Sequence, residues 1–260
     1  MSRFEHLEFG AAQREPTEAA AAGTPIRDAT YFQAQAEKYY LNGDYELALR
    51  NYSRSLEQNS AHFEGWFGQV RMLIELREYE EASLWSNKAL ELFPENPELL
   101  AAKAVASLRT GDLEKAMAYT DNALSRKGTT SYVWLARAEA LLDQGKVTAA
   151  HCLSNAIALA GSAAPVVHLE AGRLLLGAGQ FMAALEHLRR AAQALPRSAL
   201  AWLEMARCQA ALGFPEAEAA IAQCLALRPD WREAQTVMRH IQNSGFFERI
   251  RCFFRRHRGG

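Results

Sequence analysis

The chain has 260 residues, 49% hydrophobic and 23% charged, and a formal net charge of −1. This composition suits one long soluble domain with a continuous core, and it excludes a membrane-spanning class, because no uncharged run reaches the roughly 18–20 residues a crossing needs. The first residues lack the basic start and apolar run of a secretory signal; Cys152, Cys208, Cys224 and Cys252 lie far apart, without metal-ligand spacing or a disulfide framework, so a reducing cytosol is expected and the first three read as buried, inert thiols.

Residues 1–28 read as a flexible arm. Gly10-Ala11-Ala12 and Ala19-Ala20-Ala21-Ala22-Gly23-Thr24-Pro25 hold few large apolar groups and several turn-formers. Phe4, Leu7 and Phe9 form a short apolar hook, which is either an unbound terminus or a docking motif on a tether.

From residue 29 onward a fixed ruler governs the chain. Gly111, Gly145, Gly179 and Gly213 are each 34 residues apart, Gly43 lies twice that distance before Gly111, and the rung between them is Arg77. Eleven residues before each rung stand Phe32, Trp66, Leu100, Trp134, His168 and Trp202. Two residues after the rung an apolar group recurs as Tyr45, Tyr79, Leu113, Val147 and Phe181, and five residues after it a small one as Ala48, Ala82, Ala116, Ala150 and Ala184. Small residues let two helices approach and large ones fill the gaps between them. In Ala82-Leu84-Trp85-Ala89-Leu90-Phe93 the apolar steps have helical spacing, and few runs alternate with the period of a strand. Pro94, Pro196 and Pro229 punctuate the ends of second helices. The glycines mark the corners between paired helices, where a left-handed residue without Cβ is favoured. Arg77 fits such a corner poorly, so a right-handed local conformation is expected there. In the fourth and sixth copies Ala156-Ile157-Ala158-Leu159 and Cys224-Leu225-Ala226-Leu227 arrive one residue early, which predicts shortened or kinked second helices.

After the sixth copy, Asp230 is placed to cap a helix over 231–244 on which Trp231, Ala234, Met238 and Ile241 repeat at helical spacing. That helix is expected to cover the open edge of the last repeat. Asn243-Ser244-Gly245 then breaks it. The tail over 245–260 carries five arginines against Glu248, a net +4 on a body that is otherwise mildly acidic. At about 100° per residue, Phe246, Phe247, Ile250, Phe253 and Phe254 share an arc of roughly 120°. Arg251 and Arg258 lie on one flank of this face and Arg249 and Arg256 on the other, and Arg255 adds a fifth charge. A basic amphipathic helix with an aromatic face is the pattern of interfacial membrane binders, and each arginine adds about 1 kcal/mol near an anionic lipid surface. The segment is too short and too charged to cross a bilayer. The alternatives are that the Phe face packs back on the repeats as a second cap, or that the arginines meet nucleic acid, which one short basic helix supports only weakly.

No catalytic or cofactor motif is present: there is no phosphate-binding glycine loop, no His-Glu-x-x-His and no Gly-x-Ser-x-Gly. His168 stands where sister copies carry large apolar groups and reads as a core imidazole with a local hydrogen bond. His151 and Cys152 are adjacent on a helix, so they point apart and make no nucleophile–base pair. Neither a cofactor nor a metal is expected.

These features resemble the tetratricopeptide repeat (TPR) family. Gly43-Asp44-Tyr45-Glu46-Leu47-Ala48-Leu49-Arg50-Asn51-Tyr52 resembles the family's turn and second helix, and Ala89-Leu90-Glu91-Leu92-Phe93-Pro94 its closing segment. The resemblance implies an all-α, right-handed superhelical α-α solenoid of about six repeats, with a C-terminal capping helix and the basic amphipathic tail. The repeats divide as 29–62, 63–96, 97–130, 131–164, 165–198 and 199–230. It further implies that first helices line a concave groove, presenting Arg71, Leu108, Leu135, Glu139, Leu142, Leu169, Arg173, Leu176, Leu203 and Arg207 to a protein partner. Leucines with Arg173 and Arg207 suit an extended or helical peptide bearing an acidic group, although some of these leucines pack between repeats. Where chaperone-binding members carry a lysine and asparagine carboxylate clamp, this chain has Gln33, Glu37, Phe67 and Arg71.

The functional expectation is a non-enzymatic scaffold or adaptor. It acts in the cytoplasm, peripherally on the cytoplasmic face of a membrane, with a protein partner and neither nucleic acid nor a small-molecule substrate. The general plan also resembles bacterial kinesin light chain-like TPR adaptors, which link cytoskeletal filaments to membranes. The alternative is a soluble cochaperone or assembly factor whose tail is a solvating cap.

Overall fold

The computed structural model of the chain describes residues 27–243. The arm with its Phe4, Leu7 and Phe9 hook and the aromatic, arginine-rich tail lie outside the described residues. Those described are helical with no strand among them. They divide into two compact units, the first reaching to Tyr40 and then spanning Asp44–Arg126, the second holding Leu41–Gly43 and everything from Lys127.

Unit 1 is built from three helix pairs: α1 (Ala29–Leu41) with α2 (Tyr45–Gln58), α3 (Phe63–Glu75) with α4 (Tyr79–Leu92), and α5 (Pro97–Arg109) with α6 (Leu113–Ser125). Unit 2 repeats the plan: α7 (Ser131–Asp143) with α8 (Ala149–Leu159), α9 (Ala164–Gly177) with α10 (Phe181–Ala194), and α11 (Ala199–Ala211) with α12 (Ala217–Leu227). A further helical stretch covers 232–243. Starts are set locally. Asp44, Asn96, Asp112 and Ser198 each accept a backbone N–H of the following turn, and Pro97 opens α5, where its missing donor costs nothing.

The corners share one hydrogen-bond pattern. Gly111 N–H donates to Leu108 O (3.0 Å) and Asp112 N–H to Ser107 O (2.9 Å). This double bond satisfies two carbonyls at the end of a first helix and requires a left-handed residue between them. Arg77 obeys the same rule, contrary to the sequence expectation. Its φ is +64°, with Arg77 N–H on Ile74 O (3.0 Å) and Glu78 N–H on Leu73 O (2.9 Å). The paired bonds dictate the conformation, and the side chain accepts the steric penalty.

Close packing follows from the small residues. Ala48, Ala82, Ala116 and Ala184 are fully buried. At Gly68 a Cβ would lie 2.2 Å from the Tyr52 ring, and at Gly172 2.5 Å from Leu188, so only glycine lets α3 approach α2, and α9 approach α10, this closely. Within unit 1 the first helices α3 and α5 touch, and within unit 2 α7, α9 and α11 touch in series. Second helices approach one another less, so the first helices form the inner layer of each unit.

The fourth and sixth pairs break the common register at the start of their second helices. α8 and α12 have 11 residues, against 13 or 14 in the other second helices. Where Ala48 N–H reaches Asp44 O over a full α-turn, Ala149 N–H reaches only Lys146 O (3.1 Å) and Ala217 N–H only Phe214 O (3.2 Å). One residue has been removed from the first turn, and a tighter i→i−3 start absorbs the loss. The buried small residue is therefore Ala149, while Ala150 is exposed, and Val147 is 90% exposed. Contrary to the sequence expectation, Ala150 and Val147 therefore do not pack, because a shift of one residue, at 100° per residue, turns a side chain out of the core.

The helix over 232–243 starts one residue later than expected. Trp231 O, not Asp230 O, accepts the first helical bond from Gln235 N–H (3.0 Å), and the Gln235 amide returns to Pro229 O (2.8 Å). Trp231 and Ala234 are buried, and Met238 and Ile241 half-buried. Cys152, Cys208 and Cys224 are buried and unpaired, and burial pushes their thiols up, that of Cys224 to about 11. At neutral pH they are protonated and unreactive, as the sequence suggested.

Candidate interaction surface

A 34-residue period places equal positions of successive first helices side by side. The candidate residues fall into both units: Arg71 and Leu108 in unit 1, and the rest in unit 2.

In unit 2 three rows run across α7, α9 and α11. The row Leu135, Leu169, Leu203 is core. Leu135 is 6% exposed, and Leu169 and Leu203 are fully buried. Their expected groove-lining role is corrected: in each, the apolar side chain is covered by neighbouring helices and is unavailable to a partner. The row Glu139, Arg173, Arg207 is half-buried, as are Leu142 and Leu176, one helical turn further along. The accessible part of the proposed groove is therefore a band of charge edged by two leucines.

That band is a ladder. Arg173 lies 3.4 Å from Glu170 and 3.7 Å from Glu204; Arg207 lies 3.1 Å from Glu204 and also pairs with Glu233. Glu170, Arg173, Glu204, Arg207 and Glu233 thus alternate in sign from α9 through α11 to the 232–243 helix. The side chains of Glu170, Glu204 and Arg173 are 17%, 8% and 21% exposed, so the inner rungs are shielded from salt and water. Burial raises the Glu170 pKa, and Arg173 opposes that rise. An acidic ligand group cannot simply be clamped by Arg173 and Arg207, because each already shares its guanidinium between two carboxylates.

Glu170, Glu204 and Glu233 did not figure in the sequence reading. A signal for the first two was available. At the same register, α3, α5 and α7 carry Gly68, Ala102 and Ala136, all buried. A carboxylate at a position otherwise reserved for the smallest residues requires a cation nearby, and Arg173 and Arg207, three residues on, provide it.

The inner face of unit 1 is aromatic. The Arg71 guanidinium stands 5.1 Å from the Tyr40 ring centroid and 5.7 Å from that of Phe67. Phe67 stacks on Phe63 (5.8 Å), which meets Phe93 edge-on (5.3 Å). Gln33 donates to Glu37 (2.9 Å), and its carbonyl oxygen lies 3.0 Å from His62 Nε2. Beneath this layer burial pushes the Tyr52 phenol up to about 12, against the pull of Arg71. Leu108 is half-buried on α5. No amide–ammonium clamp is present among these residues. The cation is held by aromatic faces.

Stacked helix pairs on a 34-residue ruler, with first helices inward, define a helical repeat solenoid. The chain belongs to the tetratricopeptide repeat proteins: models of that repeat match residues 34–97 and 175–241, together half of its length. No curated protein sequence matches it. Among solved structures it is similar to a chain of the APC/C hetero-tetramer Cut9–Hcn1 (15% identity, 84% of this chain and 43% of that chain, TM-score 0.54). It is similar also to PilW, a type IV pilus biogenesis factor (22%, 81% and 98%, TM-score 0.50), and to a human IFIT1 dimer with m7Gppp-AAAA (20%, 79% and 50%, TM-score 0.58). The chain spans half or less of the first and third of these, and at such identities the likeness is one of fold alone.

Proposed function

We propose that this protein is a non-enzymatic interaction scaffold that holds a protein partner on the inner face of its first helices and acts as an adaptor. The observation that carries this reading is the band in unit 2. Leu142 and Leu176 stand half-exposed at equal positions of neighbouring helices, beside a charge ladder whose geometry is already set. Such a surface offers apolar anchors and fixed polar register, which is what recognition of a helix or extended peptide requires.

The finer reading adds a membrane. The amphipathic sequence of Phe246, Phe247, Ile250, Phe253 and Phe254 with its five arginines suits reversible attachment to an anionic surface, a plan shared with adaptors that tie filaments to membranes. Among the described residues no single helix is long and apolar enough to cross a bilayer.

The test compares affinity capture from native extract by the wild-type chain with capture by Leu142→Glu/Leu176→Glu. These side chains are only half-buried, so the helices are expected to persist, which circular dichroism verifies. Loss of the wild-type partner is expected. Undiminished capture by a folded double variant would move the binding surface elsewhere. Leu169→Glu is unsuited to this purpose, because it would place a charge in the core.

A further inference from the structure

We propose that His168 and His187 form a two-imidazole site for a first-row transition ion of the zinc or copper class, in the fifth helix pair. His168 lies on α9 and His187 on α10, and their Nδ1 atoms face each other at 2.9 Å. The rings are 5.1 Å apart and inclined by 38°. Two imidazole nitrogens held by separate helices are thus brought within hydrogen-bond distance of each other.

The fold does not need imidazoles there. The same two positions in the second helix pair carry Trp66 and Trp85, whose rings pack 5.7 Å apart. In the fourth and sixth pairs, whose second helices run one residue early, they are Trp134 with Cys152 and Trp202 with Ala220. The first pair has Phe32 with Asn51 and the third Leu100 with Tyr119, so only the fifth pair has a ligating imidazole at both positions.

The chemistry agrees with the placement. Both rings are half-buried, so an ion can reach them from solvent. Burial pushes both imidazoles down from their ordinary value. Glu186 and Arg190 lie close enough to influence both rings, and they are paired with each other at 2.6 Å, so neither imposes a net charge on the site. In the neutral pair one Nδ1–H donates to the other Nδ1. For an ion to bind, the donor ring moves its proton from Nδ1 to Nε2, and both Nδ1 lone pairs become available without net proton release. With Zn–N bonds of about 2.0–2.1 Å and tetrahedral angles, the nitrogens need to part by only a few tenths of an ångström. No third His, Cys, Asp or Glu joins them among the described residues. The described residues thus supply two ligands, which leaves the remaining coordination positions open to water.

Titration calorimetry of the full chain with Zn2+ alone tests this, alongside His168→Phe and His187→Phe. Phenylalanine keeps an aromatic ring in the seam, as in the second pair, and cooperative melting verifies the fold. Changes outside the ligand set alone alter metal affinity about 10–100-fold, so losing one of two ligands is expected to weaken this binding class at least about tenfold. Each variant should also lose the rise in melting temperature that Zn2+ gives the wild type. Equal affinity and equal thermal shift in all three chains would overturn the proposal. A second readout needs no variant: imidazole 15N resonances of the wild-type chain during the titration. His168 and His187 are expected to shift first. Shifts confined to other histidines would overturn the assignment.

Discussion

At the scale of single residues, Arg77 shows how backbone hydrogen bonding can overrule side-chain preference. Two carbonyls of α3 must be satisfied where the chain turns, and the paired bonds that do so place Arg77 at φ +64°. A non-glycine residue in this region costs roughly 1–2 kcal/mol. Arg77→Gly is therefore expected to stabilise the chain by about 1 kcal/mol, after part of the gain is lost to the greater freedom of glycine in the unfolded state. The midpoint of urea unfolding measures it. A midpoint at or below that of the wild type would mean that the Arg77 side chain supplies contacts that outweigh its strain. The candidate leucines carry a related lesson. Leu169 and Leu176 are two helical turns apart on α9, yet one is sealed and the other half-exposed. Spacing along one helix placed both on the inner side; which of them meets solvent depended on the neighbouring helix.

At the scale of elements, one deleted residue reorganises α8 and α12. The tighter first turn restores packing downstream by advancing the buried alanine from the fifth to the fourth position after the corner. A set of leucine substitutions reads this directly. Ala184→Leu and Ala149→Leu insert volume where two helices touch and are expected to cost about 1–3 kcal/mol. Ala150→Leu points outward and is expected to stay within about 0.5 kcal/mol of the wild type. Thermal unfolding of the three variants is the measurement. A costly Ala150→Leu beside a mild Ala149→Leu would return α8 to the register of its sisters. The early arrival of Ala156 and Cys224 was visible in the sequence. Its structural consequence, an exposed Val147, depends on the residue being lost from the first turn, and that is decided by the tighter start of the helix.

At the scale of the whole molecule, two helical-repeat units carry the candidate surface and a basic, aromatic segment follows them in sequence. If that segment attaches the scaffold to lipid, a chain ending at Gly245 is expected to remain in the supernatant when sedimented with anionic vesicles, while the full chain pellets. Raising the salt is expected to weaken the full chain's recovery, because the arginine contribution is screened over about 8–10 Å at ordinary ionic strength. Equal recovery of the two chains would remove the membrane from the function and leave the protein-binding surface unaffected.

Period and punctuation by themselves determined that this protein is a series of helix pairs. The rungs at Gly43, Gly111, Gly145, Gly179 and Gly213, with Arg77 between, mark corners whose geometry depends on local hydrogen bonds, and local rules can be read from a linear string. The tertiary structure alone decided which first-helix residues are core and which are surface, and it paired Arg173 and Arg207 with Glu170, Glu204 and Glu233. It also brought His168 and His187, 19 residues apart, to within 2.9 Å. Those outcomes depend on how one helix seats against the next, and a difference of one residue or a fraction of an ångström changes which atoms meet.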